Sequence, residues 1–149
     1  MRDDVHLLIF GHGFGKAALN HFLSKTEATG NVHLVDAREI TDNDLAGLNA
    51  YWNAQLEEPN PVMMLNAMAS GVPAISVAGP ETEDAILPMQ SGLATNRGAR
   101  DEFARWTKFL IEQADRNETL SIQSRRHVET QFPVQKTVDA LIQLYSPTS

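Results

Sequence analysis

The chain has 149 residues, 42% of them apolar, enough for a domain with a hydrophobic core and too apolar for a disordered segment. Against 19 acidic residues stand 12 basic ones, a formal net charge of −7, which offers no general attraction to nucleic acid phosphates or anionic membranes and disfavours both as partners. There is no cysteine, so disulfides, thiolate zinc sites and a cysteine nucleophile are excluded, in keeping with a reducing, cytoplasmic location.

The opening run, Val5 to Phe10, is too short to span a membrane. The two aspartates before it are not the basic flank of a signal peptide, and no cleavage site follows. Its continuous apolar character, closed by glycines, predicts a strand buried on both faces. The glycine-rich turn GHGFG leads into a helix over KAALNHFLSK, and NVHLVDA (Asn31 to Ala37) reads as a second strand. Thr41 is placed to cap the next helix, with Asp44 in the capping-box position. That helix carries Leu45 and Leu48 and is expected to fade through Tyr51 to Asn53, with Ala54 to Leu56 as a short strand.

Pro61 suits a first helical turn. Val62, Leu65 and Ala69 follow at helical spacing, with Met63, Met64 and Met68 widening the apolar face as core filler. Gly71 stands where a left-handed residue ends a helix, and Pro73 leads into the strand AISVA. A turn and short helix are expected over GPETEDAIL, and a short edge segment over Ser91 to Thr95. Phe103, Trp106, Leu110 and Ala114 repeat on one helical face, with Trp52 and Trp106 as buried anchors. A further helix is expected over Glu118 to Thr130, and a last one after Pro133 with Val134, Val138, Leu141, Ile142 and Tyr145 on one face. The final SPTS reads as a frayed natural terminus.

Strand and helix in alternation predict an α/β fold, a doubly wound parallel sheet in three layers with extra C-terminal helices. No linker, repeat or low-complexity tract divides residues 1–149, so a single domain is expected. Ligands of such sheets bind at the carboxyl ends of the strands, which singles out the loops Gly11–Gly15, Asp36–Thr41, Leu56–Pro61 and Ala78–Asp84.

In the first loop, Gly11 and Gly13 can let backbone N–H groups face a phosphate, with Lys16 adding charge at the helix start. The spacing matches neither the dinucleotide fingerprint nor the Walker loop, and a tight turn explains the glycines equally well. Of the five histidines, His6 and His33 read as packing or edge residues within strands, and His21 and His127 carry no signal. No pair has the helical His-x-x-x-His metal spacing. His12 alone lies in a ligand-facing loop, without a nameable partner as a base. Glu57, Glu58, Glu81 and Glu83 precede helices, where carboxylates can cap N–H groups or accept hydrogen bonds from ligand hydroxyls. A solvated acidic rim is the plain alternative. No serine-hydrolase elbow, zinc signature or calcium loop is present, and no metal or other cofactor is expected.

The stretches NVHLVDAREITDNDLAGL, LEEPNPVMMLNAMASGVPAISVAGPETEDAI and SGL resemble the C-terminal nucleotide-sugar-binding domain of GT-B glycosyltransferases, the group 1 or family 4 type. There a glutamate, Gly-Phe-Gly, four residues and a second glutamate lead into Ala-Met-Ala-x-Gly-x-Pro. By position Glu58 matches the first glutamate and Asn66 the second. The resemblance implies a Rossmann-like lobe in which Glu58 lies near the donor sugar, Asn66 at the ribose, and Gly11, Gly13 and Lys16 at the phosphates, with His12, Glu81 and Glu83 as further donor-binding candidates. It further implies a UDP- or GDP-sugar ligand and an N-terminal acceptor lobe, without which the chain is not catalytic.

The departures are specific. Asn66 offers N–H₂ where a carboxylate offers an acceptor. Pro59-Asn60-Pro61 stands for the glycine triplet, and the family's Arg and Lys pair is missing. These changes keep a second reading open, a non-catalytic glycosyltransferase-like accessory or scaffold protein, such as the accessory Sec proteins of adhesin secretion, with a protein partner. A third is a small α/β ligand-binding domain unrelated to sugars.

Overall fold

The apolar runs form strands that pair in parallel, in a computed structural model describing residues 4–11, 13, 15–26, 29–55 and 61–146. The chain divides into two compact units, Met1–Thr41 and Asp42–Ser149. The SPTS reading lies, apart from Ser146, outside the described residues.

In the first unit, β1 (Leu7–Phe10) and β2 (Val32–Val35) pair in parallel, with Leu7 opposite Val32 and Phe10 opposite Val35. The link between them carries α1 (Lys16–Leu23). Asn31 Nδ2 donates to the Val5 carbonyl at 2.9 Å and fixes the amino end of β1. Both strands are half-buried apart from His33, which is exposed.

In the second unit, α2 (Asp42–Ala46) starts directly after Thr41 and buries Leu45. The expected fading of this helix through Tyr51–Asn53 is not found. Those residues form β3, whereas Ala54 and Gln55 lie outside it and Leu56 lies outside the described residues. Gly47 follows the last turn of α2. Tyr51 N–H then donates to the Pro73 carbonyl at 2.9 Å, so the aromatic pair Tyr51-Trp52 joins a sheet, where such residues pack well. The sheet order is β3–β4–β5, all parallel, with β4 at Ala74–Val77 and β5 at Gly92–Thr95.

Between β3 and β4 lies α3 (Val62–Ala69). Met64, Ala67 and Met68 are fully buried at the centre of its core face, Leu65 and Ala69 pack partly buried beside them, and Val62 alone of the expected stripe turns outward, 55% exposed. The helix is apolar nearly all round, so periodicity could not choose a face. Gly71 has φ +80°. Its N–H donates to Met68 O at 3.0 Å and that of Val72 to Ala67 O at 2.9 Å, a Schellman stop that needs a left-handed residue.

Alternate residues of β4 point to opposite faces. Ala74 joins Met64, Met68, Ala85, Ile86 and Val128 on one side, and Ile75 and Val77 join Leu93, Phe103, Leu110 and Leu120 on the other. After β4 come α4 (Pro80–Glu83), α5 (Arg100–Glu112), α6 (Ala114–Gln131) and α7 (Val134–Tyr145). Ala114 opens α6 and is exposed; it does not continue the α5 face. Trp52 and Trp106 are half-buried anchors. The first donates to Thr107 Oγ1 at 2.8 Å and the second to the Ala94 carbonyl at 3.3 Å.

Helix α6 packs on α3. Ser121 Oγ donates to the Gly71 carbonyl, and buried Ser124 Oγ donates to the Ser91 carbonyl at 2.6 Å. The regular apolar face of α7 is real but exposed, from Val138 at 40% to Tyr145 at 81%. No helix among the described residues is long and apolar enough to cross a membrane.

Candidate functional site

In the first unit, Gly11 follows β1 and its N–H donates to Val35 O at 3.0 Å. This extends the β ladder by one residue and leaves that N–H unavailable to a ligand. The Gly13 carbonyl accepts from Lys16 N–H at 3.2 Å, and the Lys16 side chain is exposed at the first residue of α1. A Cβ at Gly11, Gly13 or Gly15 would meet nothing within 4 Å, so close packing among the described residues does not demand glycine there. Open space beside a glycine is also what close approach by a ligand requires. His12 lies outside the described residues. At the carboxyl end of β2, Asp36 is occupied: its Oδ1 accepts from Arg38 N–H at 3.0 Å and its carboxylate pairs with the Arg38 guanidinium at 2.5 Å.

In the second unit the three strand ends carry a buried polar group built by the β ladder. Asn53, opposite Ser76 in register, donates Nδ2–H to Ser76 Oγ at 3.2 Å, and Ser76 Oγ donates to the Val77 carbonyl at 3.3 Å. Thr95 Oγ1 donates to the Ser76 carbonyl at 3.4 Å. Beyond β4, Ala78 N–H donates to Thr95 O at 2.9 Å, and Thr82 Oγ1 donates to Val77 O at 2.8 Å. These residues escaped the sequence analysis. The signal was there, as uncharged polar residues inside apolar strands, since burying such groups costs free energy unless they are paired.

Over this floor opens a cavity of about 90 Å³ lined by residues that include Ser76, Thr82, Glu83, Ile86 and Ala94. Ser76 and Thr82 donate to backbone carbonyls, which leaves Glu83, exposed at the edge, as the carboxylate facing the space. Glu81 stands in the same short helix with its side chain outside the described set. Asn66 is exposed on α3, on the side away from Met64, Ala67 and Met68, and its carbonyl accepts from Ser70 Oγ at 3.0 Å. Glu57 and Glu58 lie outside the described residues. The structure brings Glu83 to the cavity and leaves Asn66 on the helix surface. No group of three or more His, Cys, Asp or Glu among the described residues is placed to hold a metal ion.

Solved structures share this fold. TarM of S. aureus matches at a TM-score of 0.87 and 15% identity, over 98% of this chain and 30% of that chain. Anabaena HepE, solved with UDP-glucose, matches at 0.83 and 16%, over 95% of this chain and 42% of that chain. The sucrose-phosphate synthase of Thermosynechococcus elongatus matches at 0.79 and 20%, over 94% and 37%. At such identities the likeness is one of fold, and this chain spans less than half the length of each. No curated protein matches the chain. A family match extends over residues 1–127, from β1 through most of α6. With its parallel strands, the helix–glycine–strand frame around Gly71 and the C-terminal helices of a GT-B Rossmann-like lobe, the chain belongs to the family of glycosyl transferases group 1.

Proposed function

We propose that the chain is the donor-binding lobe of a longer, cytoplasmic GT-B glycosyltransferase and binds a nucleotide sugar, with chemistry awaiting an acceptor lobe. The observation that carries this reading is the position of Asn66. It stands at the family's second glutamate, on the exposed side of a helix whose other side is locked by Met64 and Met68. A side chain held there faces outward whatever its chemistry, so the position can serve a ribose even with the carboxylate replaced. In this reading Gly11, His12, Gly13 and Lys16 approach the diphosphate, Glu58 the sugar, and Glu81 and Glu83 the rim. UDP in a complex of TarM and UDP-glucose in a complex of HepE support a uridine nucleotide as the first ligand to try.

The test is calorimetric titration with UDP, GDP and their sugars. Asn66→Glu restores the second acceptor, and a hydrogen bond to a charged group contributes about 1.5–3 kcal/mol. The variant is therefore expected to bind roughly ten- to a hundredfold more tightly than the wild type. The same asparagine favours a second reading, a glycosyltransferase-like accessory or scaffold protein that no longer binds a donor. Absence of binding by both the wild type and Asn66→Glu would select it, and capture of a glycosyltransferase or adhesin polypeptide would then be sought.

A further inference from the structure

His6 and His33 are 27 residues apart in sequence and meet in the first unit, with His6 Nδ1 3.1 Å from His33 Nε2. Their ring centroids are 5.3 Å apart and the planes are inclined by 30°. The β register explains the meeting. His33 stands opposite Leu8 in the β1–β2 ladder, and residues 6 and 8 of an extended chain point to one face. Both rings are exposed, so both can turn and water can reach them. One shared proton joins the two nitrogens at this distance, and a metal ion can take its place. With imidazole nitrogens about 2.0–2.1 Å from a metal, a 3.1 Å separation gives an N–metal–N angle of about 100°, between octahedral and tetrahedral values.

We propose that His6 and His33 form a two-imidazole site for a divalent transition ion that favours nitrogen, such as Zn²⁺, Ni²⁺ or Cu²⁺. Water completes the coordination shell. The site lies at the amino ends of β1 and β2, opposite the glycine loop, and stands independently of donor binding. A bound ion clips the ends of the segment that contains Gly11–Gly15 and α1. It stabilises the native state by mass action, because residues so far apart are brought together only by the ladder.

The test titrates the full chain with Zn²⁺ alone, by calorimetry and by thermal melting, beside His6→Ala, His33→Ala and the control His21→Ala. One equivalent is expected to bind the wild type and His21→Ala, with a rise in Tm that Mg²⁺ does not reproduce. Loss of either ligand removes the effective-concentration gain of the pair, so His6→Ala and His33→Ala should each bind at least about tenfold more weakly and show no rise. The ring-proton resonances of His6 and His33 should shift together on adding Zn²⁺ to the wild type, a readout that does not depend on the variants folding. Unchanged affinity in either variant, no binding by the wild type, or shifts confined to other histidines would overturn the proposal.

Discussion

Gly71 and Gly98 both hold left-handed backbone, φ +80° and +85°, but their surroundings differ. A Cβ on Gly98 meets nothing within 4 Å, whereas one on Gly71 comes within 3.3 Å of Ser121 Oγ, the hydroxyl that donates to the Gly71 carbonyl. Left-handed backbone costs an L-residue about 1–2 kcal/mol. Gly98→Ala should lose that much in urea unfolding, and Gly71→Ala should lose more, because the added carbon also disturbs the α3–α6 hydrogen bond. The need for glycine at 71 was legible, since it follows an apolar helix and precedes proline and a strand. The reason for glycine at 92 was not. A Cβ there would stand 3.0 Å from the Ala74 carbonyl on the neighbouring strand, a contact set by pairing that local sequence does not contain. Asn53, Ser76 and Thr95 were missed for the same reason, since their partners are supplied across strands.

At the scale of elements, the types of nearly all helices and strands were legible, and faces and ends less so. Helix α3 offers apolar residues on all sides, and the packing of α6 and β4 selects Met64, Ala67 and Met68. Helix α7 offers a clean stripe that is left exposed among the described residues. Two substitutions separate these cases. Met68→Ala, at a fully buried position, should cost about 2–5 kcal/mol through lost burial and the cavity left behind. Leu141→Gln, at a position 49% exposed, should change stability by no more than about 0.5 kcal/mol. Chemical denaturation of the 149-residue chain measures both, and equal losses would show that the stripe of α7 is covered after all. The Tyr51–Asn53 strand was misjudged because three residues are too few to show a period, and its proof is a bond to Pro73, 22 positions on.

For the whole molecule, the alternation of strand and helix gave the parallel α/β class correctly. Which strands pair was not legible, because parallel pairing joins segments separated by a helix. Each unit keeps its own ladder: β1 with β2, and β3 with β4 and β5. Both buried clusters belong to Asp42–Ser149, while no described residue of Met1–Thr41 is fully buried. Two strands with no closed core are marginal alone. Residues 42–149 expressed separately should therefore keep a cooperative circular-dichroism melt, and residues 1–41 should show none. Of the candidate residues, a motif singled out Asn66 and an acidic loop Glu83; the first is exposed on α3 and the second lines the cavity.

The Ala78 N–H to Thr95 carbonyl bond carries the β4–β5 ladder one residue past β4, into the loop over the cavity. That last bond can fray locally, whereas Ser76 and Val77 beneath it are buried, so the cavity floor draws its order from the interior of the strand. A ligand arriving there finds its floor already ordered and spends little binding free energy on arranging it.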